Sequence, residues 1–137
     1  MTIALPDDLV VNELDYLRIT RLLAQLPRDA GVREALAGAL EAADRVLPAE
    51  MPPDVVTMHS RVVTEDADGT RRTLTLCYPD AADAAQGRVS VLSPLGCRLL
   101  GAAVPGTVQW QPPEGAARSL RLLELQYQPE ASGDYAV

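Results

Sequence analysis

Few side chains in this 137-residue sequence could carry out chemistry, and none forms a known catalytic or metal-binding pattern. His59 is the only histidine, and the two cysteines, Cys77 and Cys97, do not form a CxxC pair. A zinc site would need these three distant residues to converge, and a Ser-His-Asp triad would have to use His59 without a GxSxG motif. GxGxxG and Walker A motifs are also missing. The sequence therefore predicts no catalytic residue, no metal site, no cofactor and no enzyme.

The two cysteines have a structural interpretation and a redox one. Cysteines of proteins in a reducing compartment are usually buried free thiols, and this is the expected state of Cys77 and Cys97. A redox pair is the alternative, but neither cysteine has an activating neighbour in the sequence.

The charge balance indicates which kinds of partner suit the surface. Nineteen acidic residues stand against 12 basic ones, all of them arginine, for a net charge of −7. Such a surface repels phosphate, so a nucleic-acid duplex is not an expected partner, whereas a basic protein surface is. The apolar runs are far shorter than the roughly 20 residues that cross a bilayer, and Met1–Asp8 lacks the basic start of a signal peptide. We expect a cytoplasmic monomer without membrane contact.

Two helices are predicted for an N-terminal unit over residues 1–50. Asn12 is a suitable N-cap, with Glu13 and Asp15 behind it in the first turn. The first helix ends at Pro27, and the second is predicted from Val32 to Val46. Apolar residues follow a coiled-coil seam in both helices: Tyr16, Ile19, Leu23 and Leu26 in the first, and Val32, Leu36, Ala39, Ala43 and Val46 in the second. The short turn between them makes the helices antiparallel, each about 22 Å long for about 15 residues.

A second unit over residues 51–137 is predicted because the apolar period changes from that of a helix to that of a strand. Antiparallel strands are expected at Val56–Val62, Arg72–Tyr78, Arg88–Leu92, around Val108 and Trp110, and at Arg118–Gln128. Asp66–Gly69 is predicted to be a hairpin turn. Ser93 and Pro94 are predicted as N-cap and first residue of one short helix that Gly101 terminates. The fold class is α+β.

Five ordered motifs of this second unit resemble the Rnk family, the regulators of nucleoside diphosphate kinase. They are Met51–Val62, Leu76–Pro79, Val89–Gly96, Leu99–Gly101 and Tyr127–Tyr135. Rnk proteins are in turn similar to the Gre transcript-cleavage factors. The resemblance implies an FKBP-like antiparallel-sheet domain, of the type found at the C-terminus of GreA and GreB, preceded by an antiparallel two-helix coiled-coil hairpin.

The resemblance also implies a partner and a binding region. Gre factors dock this domain on RNA polymerase at the rim of the secondary channel, and the region used for docking corresponds here to Ser93, Pro94, Leu95 and Gly96. The expected function is therefore that of a non-catalytic transcription regulator that binds RNA polymerase and competes with Gre factors.

Two departures from the Gre pattern concern the hairpin and the docking region. Gre hairpins are longer and carry a pair of acids at the tip that help to hold a second Mg²⁺ in the polymerase active site. The predicted tip here offers Asp29 and Glu34, flanked by Arg28 and Arg33, and a hairpin of about 22 Å is too short to deliver them. We expect no stimulation of transcript cleavage, and a solvated turn with local ion pairs is the simpler interpretation of the tip.

The second departure is Leu92, which stands where Gre factors commonly have an acid. Within the Rnk pattern, His59 replaces a usual asparagine.

An alternative from another functional class is an FKBP-like enzyme that binds a peptide or small ligand, such as a prolyl isomerase. Tyr78, Trp110 and Tyr127 would then line a pocket. The chain has no phenylalanine, and core packing is the favoured interpretation of the three rings.

Overall fold

The structure is a computed structural model that describes residues 9–26, 31–112 and 115–134. Its N-terminal elements are β1 (Val10–Asn12), α1 (Glu13–Ala24), α2 (Gly31–Glu41) and β2 (Asp44–Val46). They are followed by β3 (Arg61–Asp66), β4 (Arg71–Cys77), β5 (Arg88–Ser90), α3 (Gly96–Leu99), β6 (Gly106–Trp110), β7 (Arg118–Tyr127) and α4 (Pro129–Ser132). Predicted Arg28 and Asp29 of the hairpin tip lie outside the described residues.

Helix α1 begins where the sequence predicts. The Asn12 side chain accepts a hydrogen bond from the Asp15 backbone N–H at 2.8 Å, and Glu13 occupies the first turn with Asp15. Ile19 and Leu23 on α1 are buried, together with Leu36 and Leu40 on α2, in the same apolar core as side chains of the sheet. The helices are therefore held by the sheet as well as by each other.

The second helix is shorter than predicted, because it ends at Glu41 and residues 44–46 form strand β2 instead. This strand pairs in parallel with β1, which the sequence did not indicate. The Asp44 N–H donates to the Leu9 carbonyl at 2.9 Å, so pairing begins just after the helix has ended. β-branched Val10, Val11 and Val46 suit this extended backbone.

The main sheet has five strands in the order β5-β4-β3-β7-β6. β3 lies at its centre, antiparallel to β4 and β7, and two register shifts against β7 allow the sheet to curl. The prediction of a wholly antiparallel sheet is wrong, because β5 pairs with β4 in parallel. The connection Pro79–Gly87 reverses the chain twice, through two 3₁₀ turns and a final pairing of Asp83 with Arg88.

The predicted strand Val56–Val62 begins only at Arg61. Consecutive residues Val56, Thr57 and Met58 are all buried, which a half-exposed strand does not allow. His59 has a φ of 69°, in the left-handed region, and this turns the chain before β3 starts.

Other predicted elements are confirmed with small changes of boundary. The hairpin turn at Asp66–Gly69 closes with Gly69 at a φ of 87°, and β7 ends one residue before the predicted Gln128. Helix α3 starts at Gly96, two residues later than predicted, but Ser93 makes the bonds expected of an N-cap: its hydroxyl accepts from the Gly96 N–H at 2.9 Å and its carbonyl from the Cys97 N–H at 3.1 Å. α4 is a further short helix that was not predicted. Among the residues that the structure describes, none of the helices has the length and hydropathy needed to span a bilayer.

The left-handed backbone at His59 generates a stability prediction. Asparagine and histidine are both among the non-glycine residues that tolerate this region, whereas a β-branched side chain is strained there. We expect His59→Asn to leave the free energy of unfolding within a few tenths of a kcal/mol, and His59→Val to lower it by about 1–2 kcal/mol. Urea unfolding followed by circular dichroism measures both.

Thr73→Val is a matched control for the introduced valine, because Thr73 is exposed on β4 and lies in extended backbone. It should be close to neutral. Equal stability of the Asn and Val variants at position 59 would contradict the assignment of strain to this residue.

Candidate functional site

The predicted docking residues Ser93–Gly96 lie in a tight turn between β5 and α3. The Ser93 hydroxyl donates to the Ser90 carbonyl at 2.7 Å and accepts from the Gly96 N–H at 2.9 Å. The Ser93 N–H also donates to the Ser90 carbonyl, and the Ser90 hydroxyl accepts from the Leu92 N–H at 3.1 Å. The hydrogen-bonding capacity of Ser93 is thus largely used inside the turn, which fixes its shape.

Gly96 is required by the close approach of the two ends of this turn. A Cβ at position 96 would overlap the Ser90 carbonyl oxygen, which is backbone and cannot move aside. Leu95 is buried with the apolar core, and Gly96 is buried as well. Of the four predicted contact residues, only Ser93 and Pro94 are therefore partly exposed, while Leu95 and Gly96 shape the turn from within.

The thiol of Cys97 lies behind this turn and donates to the Pro94 carbonyl at 3.4 Å. Cys77 is also buried, and its thiol donates to the Val89 carbonyl at 3.5 Å. Both cysteines are free, as predicted, and burial raises the pKa of each thiol. A protonated, buried thiol is a poor nucleophile, so the structural interpretation of both residues is favoured.

The described part of the predicted hairpin tip has a structural role. Arg33 donates from Nε to the Leu23 carbonyl at 2.8 Å, which ties the first turn of α2 to the end of α1. Glu34 is exposed and lies 4.0 Å from the Arg33 guanidinium. Within the described residues, no group of three or more His, Cys, Asp or Glu side chains could hold a metal ion.

A buried polar cluster that the sequence analysis missed joins three distant segments. We call Asn12, Asp15, Thr57 and Glu130 the carboxyl cluster. The Asn12 amide donates to both carboxyl groups, at 3.3 Å to Asp15 Oδ2 and at closer range to Glu130. The Thr57 hydroxyl donates to Glu130 Oε1 at 2.8 Å. Asn12 and Asp15 were recognisable as a helix cap, but no local spacing indicates that Glu130 lies beside them.

Several titratable groups in and near this cluster have shifted pKa values. Burial, followed by the negative charge of Glu130, raises the pKa of Asp15 to about 7. Burial lowers the pKa of His59 and raises that of Tyr78, whose ring meets the His59 ring edge-on with centroids 5.6 Å apart. These shifts mark a low-dielectric interior rather than a solvated turn.

The three aromatic residues of the alternative enzyme hypothesis do not share one pocket. Tyr78 lines an open groove of about 440 Å³ beside Arg18 and Arg21 of α1. Trp110 pairs with Arg118 at the start of β7, whereas Tyr127 lies at the end of the same strand. Arg118 and Tyr127 are the first and last residues of a ten-residue strand, which places them about 30 Å apart. The arrangement disfavours a common ring-lined ligand site.

Comparison with known proteins identifies relatives along nearly the whole chain. Residues 51–127 match the sequence profile described as "Transcription elongation factor, GreA/GreB, C-term". The chain is 45% identical over 130 residues to the "Regulator of nucleoside diphosphate kinase" of Escherichia coli (strain K12), with 93% of this chain and 95% of that protein covered. The protein of the same name from Shigella flexneri matches with the same identity and coverage.

A solved structure shows that the likeness extends to the fold. The "Prokaryotic transcription elongation factor GreA/GreB from Nitrosomonas europaea" superposes with a TM-score of 0.75 and 34% identity. The match covers 88% of this chain and 98% of that one. The mixed α+β arrangement with a curled sheet and few helices is therefore a GreA/GreB-like fold.

The close contact at Gly96 generates a second prediction. Gly96→Ala should lower the free energy of unfolding by about 1–3 kcal/mol, because its Cβ must displace backbone. Gly38→Ala is the matched control: a Cβ there meets no atom within 4 Å, and alanine in a helix is favoured by about 0.5–1 kcal/mol. Chemical denaturation of both variants checks the expected opposite signs. A Gly96→Ala variant with the free energy of unfolding of the wild type would contradict the close contact between position 96 and the Ser90 carbonyl.

Proposed function

Because this chain belongs to the GreA/GreB C-terminal family and, within it, to the Rnk regulators, we propose that it is a non-catalytic transcription regulator that binds RNA polymerase near the secondary channel and competes with Gre factors. The similarity of nearly the whole chain to regulators of one name, and to a transcription elongation factor of the same fold, carries this proposal. The net charge of −7 supports a basic protein surface as the partner.

The proposed contact is the exposed side of the turn before α3. Ser93 and Pro94 are partly exposed there, and the internal hydrogen bonds of Ser93 hold the pair in one conformation. A preformed turn loses little conformational entropy on binding, which favours docking by this surface. Leu95 and Gly96 contribute by keeping the turn in place.

The lack of cleavage stimulation is proposed from the size and charge of the helices. α1 has 12 residues and α2 has 11, which corresponds to about 18 Å at 1.5 Å per residue. This is shorter than the length expected from the sequence. Glu34 is exposed but stands beside Arg33, whose positive charge opposes the capture of a cation.

The proposal also includes two finer features of the fold, an antiparallel helical hairpin and an FKBP-like domain. The bond between Arg33 and Leu23 supports an antiparallel hairpin of α1 and α2. The central β3 with its antiparallel neighbours and the short α3 support an FKBP-like domain. The alternative, a prolyl isomerase or other FKBP-like enzyme, is disfavoured because Trp110 at the end of β6 pairs with the start of β7, whereas Tyr127 lies at the far end of β7.

Binding to RNA polymerase is tested by displacement of a labelled Gre factor. We expect the wild-type protein to displace it completely at saturation, and the apparent affinity to fall with added salt. Pro94→Ala should weaken displacement about fivefold or more, as loss of a central contact does. Pro94 is preferred to Ser93 for this test because its side chain makes no hydrogen bond that holds the turn.

Three variants control this experiment. Pro79→Ala removes an exposed proline from a different turn and should leave displacement unchanged. Asp29→Ala and Glu34→Ala at the predicted hairpin tip should do less than Pro94→Ala. Failure of the wild-type protein to displace the Gre factor would contradict a shared binding site. Loss of binding only in the tip variants would show that the hairpin tip, and not the turn at Ser93 and Pro94, contacts the polymerase.

Transcript cleavage is a separate test. A backtracked elongation complex incubated with this protein should release no more cleaved RNA than the complex alone, because the acids at the tip cannot reach the metal with the ligand distances of about 2.1 Å that it requires. A Gre factor is the positive control, and its activity should fall when this protein is added. Robust cleavage by this protein alone would overturn the argument from helix length.

A further inference from the structure

The carboxyl cluster lies where the start of α1, the turn at residues 57–60 and the short helix α4 meet. Asp15 and Glu130 are only 4% and 7% exposed. Asp15 Oδ2 also accepts from the Met58 N–H at 3.3 Å, so each carboxyl group is bonded to a segment other than its own. The cluster is therefore the polar connection between the helical part of the chain and its C-terminal end.

The donors in this cluster are few for two carboxylates. The Asn12 amide is shared between Asp15 and Glu130, the Thr57 hydroxyl donates to Glu130 alone, and the Met58 N–H donates to Asp15 alone. The cavity between the residues has a volume of about 10 Å³, which is about the space of one water molecule, so bulk solvent does not hydrate the pair.

Other charged and titratable groups face the cluster from each neighbouring element. Arg18 on α1 favours ionised Asp15, but its effect is smaller than those of burial and Glu130. The charges of Arg18 and Glu130 also affect the pKa of His59 in the adjacent turn. The charge of Asp15 affects the pKa of Tyr78, which follows β4. Asp134 after α4 lines the same cavity. The surroundings therefore disfavour a second full negative charge on this cluster.

We propose that the carboxyl cluster is a proton-dependent latch, which holds α1 against α4 and the 57–60 turn while Asp15 carries a proton and weakens when that proton passes to solvent. Two buried carboxyl groups beside one shared donor are stable when only one is ionised. Asn12 and Thr57 are then sufficient donors for the remaining charge.

The sign of the effect follows from the proton bound in each state. In the unfolded chain Asp15 ionises near its ordinary pKa of 3.8, whereas in the folded protein burial and Glu130 raise this pKa to about 7. The stabilisation is fully present below pH 4 and is lost as the pH rises to 7. Within that window the folding equilibrium constant contributed by this group falls by up to about tenfold per pH unit.

The direct test is an NMR titration of the Asp15 side-chain carboxyl carbon in the intact protein. We expect an inflection near pH 7 in the wild type, and a clearly lower one in Glu130→Gln, where the neighbouring charge is removed. Glu13→Gln is the matched control: it removes an exposed acid from the same helical turn and should leave the Asp15 inflection in place. An inflection of Asp15 near pH 4 in the wild type would overturn the latch.

A thermodynamic measurement tests the consequence. The ratio of the unfolding constants of wild type and Asp15→Asn, measured in urea, should rise about tenfold per unit between pH 4.5 and 6.5, since asparagine cannot titrate. A ratio that does not change with pH would refute the latch. If Asp15→Asn does not fold, the wild-type titration and its shift in Glu130→Gln decide the question alone.

Discussion

The segment at residues 51–60 runs outside the strands with half of its residues buried, among them Val56, Thr57 and Met58. The rest of the structure is organised by the need to satisfy the polar groups of this segment. Its backbone is bonded from several directions: the Val56 N–H donates to the Ala102 carbonyl at 2.9 Å, and the His59 N–H donates to the Leu76 carbonyl at 2.7 Å. The Gln128 amide donates to the Pro52 and Val55 carbonyls, each at 2.7 Å. Buried backbone groups without partners are costly, so this segment requires β4, the residues after α3 and the residues after β7 to be present together.

The candidate docking turn depends on the same arrangement. β5 is placed in parallel beside β4, and the Val91 N–H donates to the Cys77 carbonyl at 2.9 Å, which sets where the chain leaves the sheet. The following turn closes on the Ser90 carbonyl, and α3 then returns the chain to the buried segment, where the Gly101 N–H donates to the Val56 carbonyl at 2.8 Å. The exposed face of Ser93 and Pro94 is thus supported on both sides by structure that cannot move independently.

The elements predicted correctly from the sequence are those determined by local interactions. The Asn12 cap, the turn at Asp66–Gly69 and the long strand β7 each depend on neighbouring residues, and their patterns are visible in the sequence. The parallel pairs of β1 with β2 and of β4 with β5 depend on distant partners, and periodicity carries no information on them. The convergence of Asp15 and Glu130 escaped prediction for the same reason. At the proposed docking turn, the residues were identified by resemblance, but only the structure shows that Leu95 and Gly96 are buried.

Two kinds of contact hold the helices in place, and they act differently. Ile19, Leu23, Leu36 and Leu40 bury apolar area, which stabilises association but tolerates small changes of angle and register. Hydrogen bonds of the carboxyl cluster are directional, and a shift of α1 would leave a buried carboxylate without its donors. Buried polar groups often add little net stability, because removing them from water is costly, but their directional bonds disfavour alternative packings. The carboxyl cluster therefore fixes the angle of α1 to α4 and to the 57–60 turn, which the apolar core alone does not specify.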